Sequence, residues 1–198
     1  MTLPNQLTIL RIILSPVFLF FFLSEVVWMK QISVAIYIVA ALSDWYDGWL
    51  ARKFNYITSW GKFWDPLADK ILTSVAFIGF AIVELIPWWM VIIIIGRDVL
   101  ITLLRVFADM KNYAFTTSYY AKWKTLLQMI FLYYLLILYI AQFTPEINAM
   151  FGNIIVQLLN KQLIFFIALL ITGITFHSGI LYISRNWKII TKILKIEN

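Results

Sequence analysis

The sequence predicts an all-α integral membrane protein: a single domain over residues 1–198, built as a bundle of six transmembrane helices with both termini cytoplasmic. Three observations carry this. The 198 residues are 63% hydrophobic and 13% charged, and mean hydropathy is +0.87, far above soluble globular usage. Six apolar stretches each approach the ~20 residues that cross a bilayer, and runs of that length satisfy their backbone in lipid only as helices. Lys and Arg fall mainly in alternate connections, the positive-inside pattern.

The first stretch, Leu7–Leu23, is long enough to span and no small-x-small cleavage site follows it, so it is expected as a retained helix rather than a signal peptide. The second, Ile32–Leu50, carries Asp44 and Asp47 near its end. The third, Phe63–Leu85, carries Asp65 and Asp69 near its start. The fourth, Pro87–Phe107, holds Arg97, Asp98 and Arg105. The fifth, Tyr119–Gln142, opens on Lys122 and Lys124, and the sixth, Leu163–Ser184, contains His177, the sole histidine. The connections read as short and polar, with no linker, low-complexity tract or fixed-period repeat.

Arg52, Lys53, Lys62, Lys111 and the tail residues Arg185, Lys188, Lys192 and Lys195 share one side, with Arg105, Lys122 and Lys124 at its edge. Only Lys30 and Lys161 lie on the other. Trp28, Trp88 and Trp89 at outer ends, and Trp60, Trp123 and Trp187 at inner ends, read as interfacial belts. The chain has no cysteine, which excludes disulfides and thiolate metal sites. The net charge of +6 points to anionic lipid and not to nucleic acid.

Four of the ten acidic residues lie between positions 44 and 69. A carboxylate at the bilayer centre costs ~2.5–3.5 kcal/mol on insertion scales, and four together repel one another unless cations neutralise them. Asp44 and Asp47 are three residues apart, and Asp65 and Asp69 four, so each pair shares a helix face. At ~1.5 Å rise per residue, Asp44 would lie about 4.5 Å deeper than Asp47, and Asp69 about 6 Å deeper than Asp65. On antiparallel helices the four can converge in one pocket just inside the cytoplasmic face. All-oxygen donors suit Mg²⁺ or Mn²⁺, and four carboxylates can hold two ions, the arrangement that clamps both oxygens of a phosphoryl displacement. Gly48 and Gly61 remove side chains where a ligand must come close, and Arg52 can answer a phosphate. Pairing of helix-end carboxylates with Arg52, Lys53, Lys62 or Lys70 would account for any one aspartate, but not for the set.

Cations follow on later segments. Arg97 lies near mid-membrane and needs an anionic partner. Arg105 is ~12 Å further along the helix and turned by only ~80°, so both can border one cavity. Arg11 reaches the same end. Lys122 and Lys124 cannot both point the same way on a helix, whereas Lys122 and Thr125, three apart, can. Such a wall suits a phosphorylated acceptor, although a pyrophosphate donor needs cations too, so charge alone leaves the acceptor open. Asp98 reads as a polar partner for a neighbouring helix, and His177 as a packed or hydrogen-bonded residue.

The pattern D-x₂-D-G-x₂-A-R-x₈-G-x₃-D-x₃-D runs complete from Asp44 to Asp69 and resembles the signature of the CDP-alcohol phosphotransferases. The resemblance implies a six-helix membrane enzyme, typically dimeric, with its site open to the cytoplasm. Such enzymes use Mg²⁺ or Mn²⁺ to move a phosphoalcohol group from a CDP-linked donor to a hydroxyl, releasing CMP. It implies that Asp44, Asp47, Asp65 and Asp69 hold metal, that Asp69 is also the base, and that Gly48, Ala51, Arg52 and Gly61 line the CDP site. The stretches Pro4 to Arg11, Arg97 to Arg105 and Lys122 to Gln128 are similar to the phosphatidylglycerophosphate synthase branch. That branch implies CDP-diacylglycerol as donor and glycerol 3-phosphate as acceptor. It also implies Asn5 and Thr8 beside the CDP, and Arg97, Arg105, Lys122, Lys124 and Arg11 on the acceptor phosphate. Asp98 stands where glutamate is common and Ala121 where glycine is. The last span, with Ser178, Gly179 and Tyr182, matches only loosely.

Three other readings fit parts of the pattern. The acceptor could be inositol phosphate, serine or phosphatidylglycerol. A membrane prenyltransferase also uses aspartate-rich motifs, but usually with more spans and with motifs further apart. A cation transporter would need polar stations continuing to the other face, and the sequence has none.

Overall fold

The computed structural model describes residues 3–54, 59–111, 113, 115 and 119–195, with the side chains of 3, 4, 45, 47–49, 51, 52, 54, 59, 60, 62 and 193–195 outside the description. Among the described residues there are seven helices and no strand: α1 Leu3–Leu23, α2 Val27–Phe54, α3 Ser59–Ile82, α4 Trp88–Met110, α5 Tyr119–Phe143, α6 Pro145–Leu158 and α7 Lys161–Lys195.

Local chemistry sets the corners. Ser24 follows α1, and its Oγ accepts the Val26 N–H at 3.1 Å. After α3 the chain turns through Glu84, whose φ of 58° is left-handed; Leu85 N–H returns to Phe80 O at 3.0 Å, closing the helix end as a left-handed residue does. Pro87, extended at φ −61°, precedes α4. Asn160 Oδ1 accepts Gln162 N–H at 2.8 Å and caps α7.

Helix α6 falls where the sequence reads as a short polar connection; the stretch is instead helical. Pro145 opens it with Glu146 in its first turn, both favourable at a helix N-terminus. Ile147, Met150, Phe151, Ile154 and Leu158 recur at helical spacing and are exposed, and Ile155 alone is buried. Its 14 residues extend only ~21 Å, too short to cross a bilayer. Tyr134 Oη donates to Leu158 O at 2.5 Å and ties it to α5.

Four helices among the described residues are long and apolar enough to cross a membrane: α1, α2, α5 and α7. α3 and α4, with 24 and 23 residues, have the length but carry Asp65, Asp69 and Lys70, and Arg97, Asp98 and Arg105. The two helices that depart from membrane-span composition are therefore two that bear the expected site. α7 runs past the expected Ser184 to Lys195.

α1 is the central post. Its buried residues Asn5, Thr8, Arg11, Ser15, Phe18 and Phe22 form one stripe, polar in the first half and aromatic in the second. The stripe packs on α2 and α3; α3 packs on α4, and both α4 and α5 pack on α7. The aromatic half forms the core. Phe22 meets Phe80 edge-on at 5.2 Å and Tyr139 at 5.0 Å, and Phe18 meets Tyr37 at 5.3 Å. Gly79 permits the close approach: a Cβ there would stand 3.1 Å from the Phe22 ring. At the same end Lys30 is buried. Its Nζ donates to Tyr139 Oη at 3.2 Å and lies 4.0 Å from the Phe143 ring centroid, a cation–π seat in place of a carboxylate.

Gly79→Val should drive its branched side chain into Phe22 and destabilise the bundle by about 1–3 kcal/mol, the usual cost of overpacking. Thermal unfolding in detergent should register a lower midpoint; an unchanged midpoint would contradict the tight α1–α3 contact.

Candidate active site

The polar half of α1 faces the aspartates. Thr8 Oγ1 donates to Asp65 Oδ1 at 2.5 Å. The Arg11 guanidinium, fully buried, pairs with Asp44 Oδ1 at 2.7 Å, and its Nε donates to Ala40 O at 3.4 Å. Asp44 lies within electrostatic reach of Asp65 and Asp69, so α2 and α3 do bring these carboxylates to one end of the bundle. Asn5 is buried on the same stripe of α1, and Gly61 is buried at the start of α3. Asp47, Gly48, Ala51 and Arg52 lie on α2, but their side chains fall outside the described residues.

Asp69 faces a cavity of about 640 Å³ enclosed by α3, α4, α5 and α7. Its lining includes Lys70, Arg97, Arg105 and Lys122, so four cations face one carboxylate. Thr102, Thr125 and Tyr182 add hydroxyls, and Ile101, Leu126 and Met129 an apolar wall. The Asp69 side chain is 38% exposed, with Lys70 Nζ 3.3 Å from its Oδ2. A recess with excess positive charge attracts a small anion, and the exposed carboxylate at its edge can accept a proton from a hydroxyl there.

One buried node holds the far wall. Asp98 Oδ1 accepts from Arg97 Nη1 at 3.0 Å and from the Lys124 ammonium; Asp98 Oδ2 accepts from Gln128 Nε2 at 3.1 Å. All three partners of this carboxylate come from α4 and α5, so Asp98 joins the two helices beneath the cavity. Its shorter side chain, in place of glutamate, is met by two long ones from α5.

Of the five cations expected on an acceptor phosphate, Arg97, Arg105 and Lys122 line the cavity. Lys124 does not: it is buried, with its ammonium on Asp98. Arg11 does not either: it is buried against Asp44. Both are held by carboxylates because an unpaired cation in an apolar bundle is costly. His177 lies outside the lining and pairs Nδ1 with Tyr120 Oη at 3.3 Å. Lys70 and Tyr182 are cavity residues absent from the expected set. Lys70 had a signal, its position next to Asp69; Tyr182 had only its place one turn beyond Gly179.

As for metal, the described donors are carboxylates alone, the class that hard divalent cations prefer. Arg11 engages Oδ1 of Asp44, and Thr8 engages Oδ1 of Asp65. Among the described residues no three acidic or imidazole groups close into a metal cage, and the fourth carboxylate, Asp47, has its side chain outside them. The chemistry of the donor set fits Mg²⁺ or Mn²⁺.

Comparison with known proteins identifies the family. The family described as CDP-alcohol phosphatidyltransferase matches residues 1–176. A Bacillus subtilis protein named CDP-diacylglycerol–glycerol-3-phosphate 3-phosphatidyltransferase is 44% identical over 115 residues, covering 52% of this chain and 60% of the relative. Proteins of the same name from Salmonella paratyphi A and Escherichia coli are 36% and 37% identical over 138 residues, covering 67% of this chain and 75% of each relative. The chain thus spans less than two thirds of the Bacillus relative and three quarters of the other two.

Asp98→Asn leaves the Lys124 ammonium buried without its counter-charge, which should cost about 3–5 kcal/mol. The unfolding midpoint in detergent should fall well below that of the parent, and adding Lys124→Met should recover part of the loss. Equal midpoints for the parent and Asp98→Asn would contradict the buried pair.

Proposed function

The chain belongs to the CDP-alcohol phosphatidyltransferase family, and from that premise we propose that it transfers the phosphatidyl group of CDP-diacylglycerol to glycerol 3-phosphate, giving phosphatidylglycerophosphate and CMP. The observation that carries this reading is the cavity in which Asp69 faces Lys70, Arg97, Arg105 and Lys122. It suits an acceptor with a hydroxyl at one end and a phosphate at the other. The names of the relatives support glycerol 3-phosphate as that acceptor.

In this reading Asn5, Thr8, Gly48, Ala51, Arg52 and Gly61 border the CDP moiety. Arg97, Arg105 and Lys122, with Lys70 beside them, hold the acceptor phosphate, Arg97 and Arg105 by the fork geometry that matches phosphate oxygens. Asp44, Asp47, Asp65 and Asp69 would hold two divalent cations, Mg²⁺ or Mn²⁺, which supply Lewis-acid stabilisation of charge on the phosphoryl oxygens. Asp69 accepts the proton of the acceptor hydroxyl. The hydroxyl oxygen bonds to the phosphorus that bears diacylglycerol, the bond from that phosphorus to the bridging oxygen breaks, and CMP leaves with the electron pair. Lys124 and Arg11 act at one remove, by fixing Asp98 and Asp44.

The same reading makes α1 to α5 and α7 the six spans, with α6 lying in the outer interface as a short amphipathic helix. Both termini and the cavity then open to the cytoplasm across the inner or plasma membrane. The distribution of Lys and Arg supports that orientation, and Asp69, Lys70, Arg97 and Arg105 of α3 and α4 line the cavity between helices. Membrane lipids surround the bundle. A homodimer rests on the family resemblance.

Purified protein with CDP-diacylglycerol and glycerol 3-phosphate tests these roles through CMP release. Asp69→Asn should abolish release while donor binding stays measurable; full activity in that variant would remove Asp69 as the base. Arg105→Ala should raise KM for glycerol 3-phosphate roughly 10–100-fold, from ~1.5–3 kcal/mol for a hydrogen bond to a charged group, and leave the donor KM near its parent value. Equal changes in both KM values would count against separate acceptor and donor sites.

A further inference from the structure

Arg97 borders two spaces at once. It lines the acceptor cavity with Asp69, and it lines an apolar groove of about 260 Å³ between α4 and α7, with Gly96, Leu100, Phe176 and Gly179. Its side chain is 12% exposed. Nη1 is fixed on Asp98, whereas Nε and Nη2 are buried and, among the described residues, have no hydrogen-bond partner. Two buried cationic N–H groups without acceptors are costly, so they mark where an anion belongs.

The stem of Arg97 passes over Gly179. A Cβ at position 179 would stand 3.0 Å from Arg97 Cγ and 3.9 Å from its Nε. The crowded atom is the base of the side chain and not its free end, and the far end is held by Asp98. The stem therefore has little room to yield, and any shift at Cγ swings Nε and Nη2. Gly179 belongs to the stripe of α7 in which Thr175, Ser178, Tyr182 and Asn186 are also buried, and Tyr182 lines the cavity near Arg105. The backbone here needs no glycine, since α7 is an ordinary helix through this point. Glycine in a helix interior costs ~1 kcal/mol relative to alanine, and only the space explains it.

We propose that Gly179 is a positioning residue for acceptor recognition: by lacking a side chain it sets the seat of Arg97, so that Nε and Nη2 present together to the phosphate of the acceptor. This rests on the reading of Arg97 as a holder of that phosphate. α7 then takes part in acceptor specificity although it brings no charge to the cavity. A larger residue at 179 displaces the guanidinium from the acceptor while leaving the aspartates and the donor side untouched.

Gly173 supplies the control. It lies on the same helix, and a Cβ there meets nothing within 4 Å, so Gly173→Ala carries the same change in helix propensity without the contact. CMP release by full-length protein should show KM for glycerol 3-phosphate raised roughly ten-fold in Gly179→Ala, the scale of a small misplacement of a binding group. The donor KM and thermal midpoint should match those of Gly173→Ala. A KM for glycerol 3-phosphate in Gly179→Ala equal to that in Gly173→Ala would overturn the role of Gly179; if Arg97→Ala still raises that KM, the reading of the cavity survives. Equal rises in both KM values, or a fall in the midpoint, would mark Gly179 as merely structural and also overturn it. Absence of turnover with glycerol 3-phosphate in the unsubstituted protein would overturn the reaction, and the role of Gly179 with it.

Discussion

The ion pair of Asp98 with Lys124 is the interaction on which the geometry of the cavity depends. α4 and α5 both pack on α7 and face each other across the space lined by Arg97, Arg105 and Lys122. What joins them beneath that space is the set of bonds from Lys124 and Gln128 to Asp98. The same carboxylate fixes one nitrogen of Arg97, while Nε and Nη2 have no hydrogen-bond partner among the described residues. A charge in an apolar bundle must be answered, and here the answer also spaces two helices and orients a third cation.

The same constraint acts on the other side of the aspartates. α1 contributes no carboxylate, yet its first half is the polar post of the site: Thr8 holds Asp65 and Arg11 holds Asp44. Its second half is aromatic and packs the core through Phe18 and Phe22. One helix face thus changes character midway, and the change separates the chemical end of the bundle from its structural end. At the structural end Lys30 is also buried, but among aromatic rings, where no reactive group is near it.

The helices were legible in the sequence because each apolar run is long and lipid leaves the backbone few choices. The spacing of Asp44, Asp47, Asp65 and Asp69 was legible because three- and four-residue steps define a helix face. α6 was not legible as a span because its apolar residues form a stripe too short to cross a bilayer. Lys124 was expected at the phosphate because the stretch from Lys122 to Gln128 resembles the synthase branch; that it turns to Asp98 depends on a contact twenty-six positions away, which periodicity does not encode. Gly179 carries no chemistry in sequence at all, and its meaning emerges only from the arginine that passes over it.

The central claim is that the cavity between Asp69 and its four cations takes a hydroxyl acceptor that bears a phosphate. The most direct measurement is CMP release by the purified protein from CDP-diacylglycerol with glycerol 3-phosphate, glycerol, serine, inositol phosphate and phosphatidylglycerol offered one at a time. The account predicts turnover with glycerol 3-phosphate and almost none with glycerol, which lacks only the phosphate. Equal turnover with those two would contradict it.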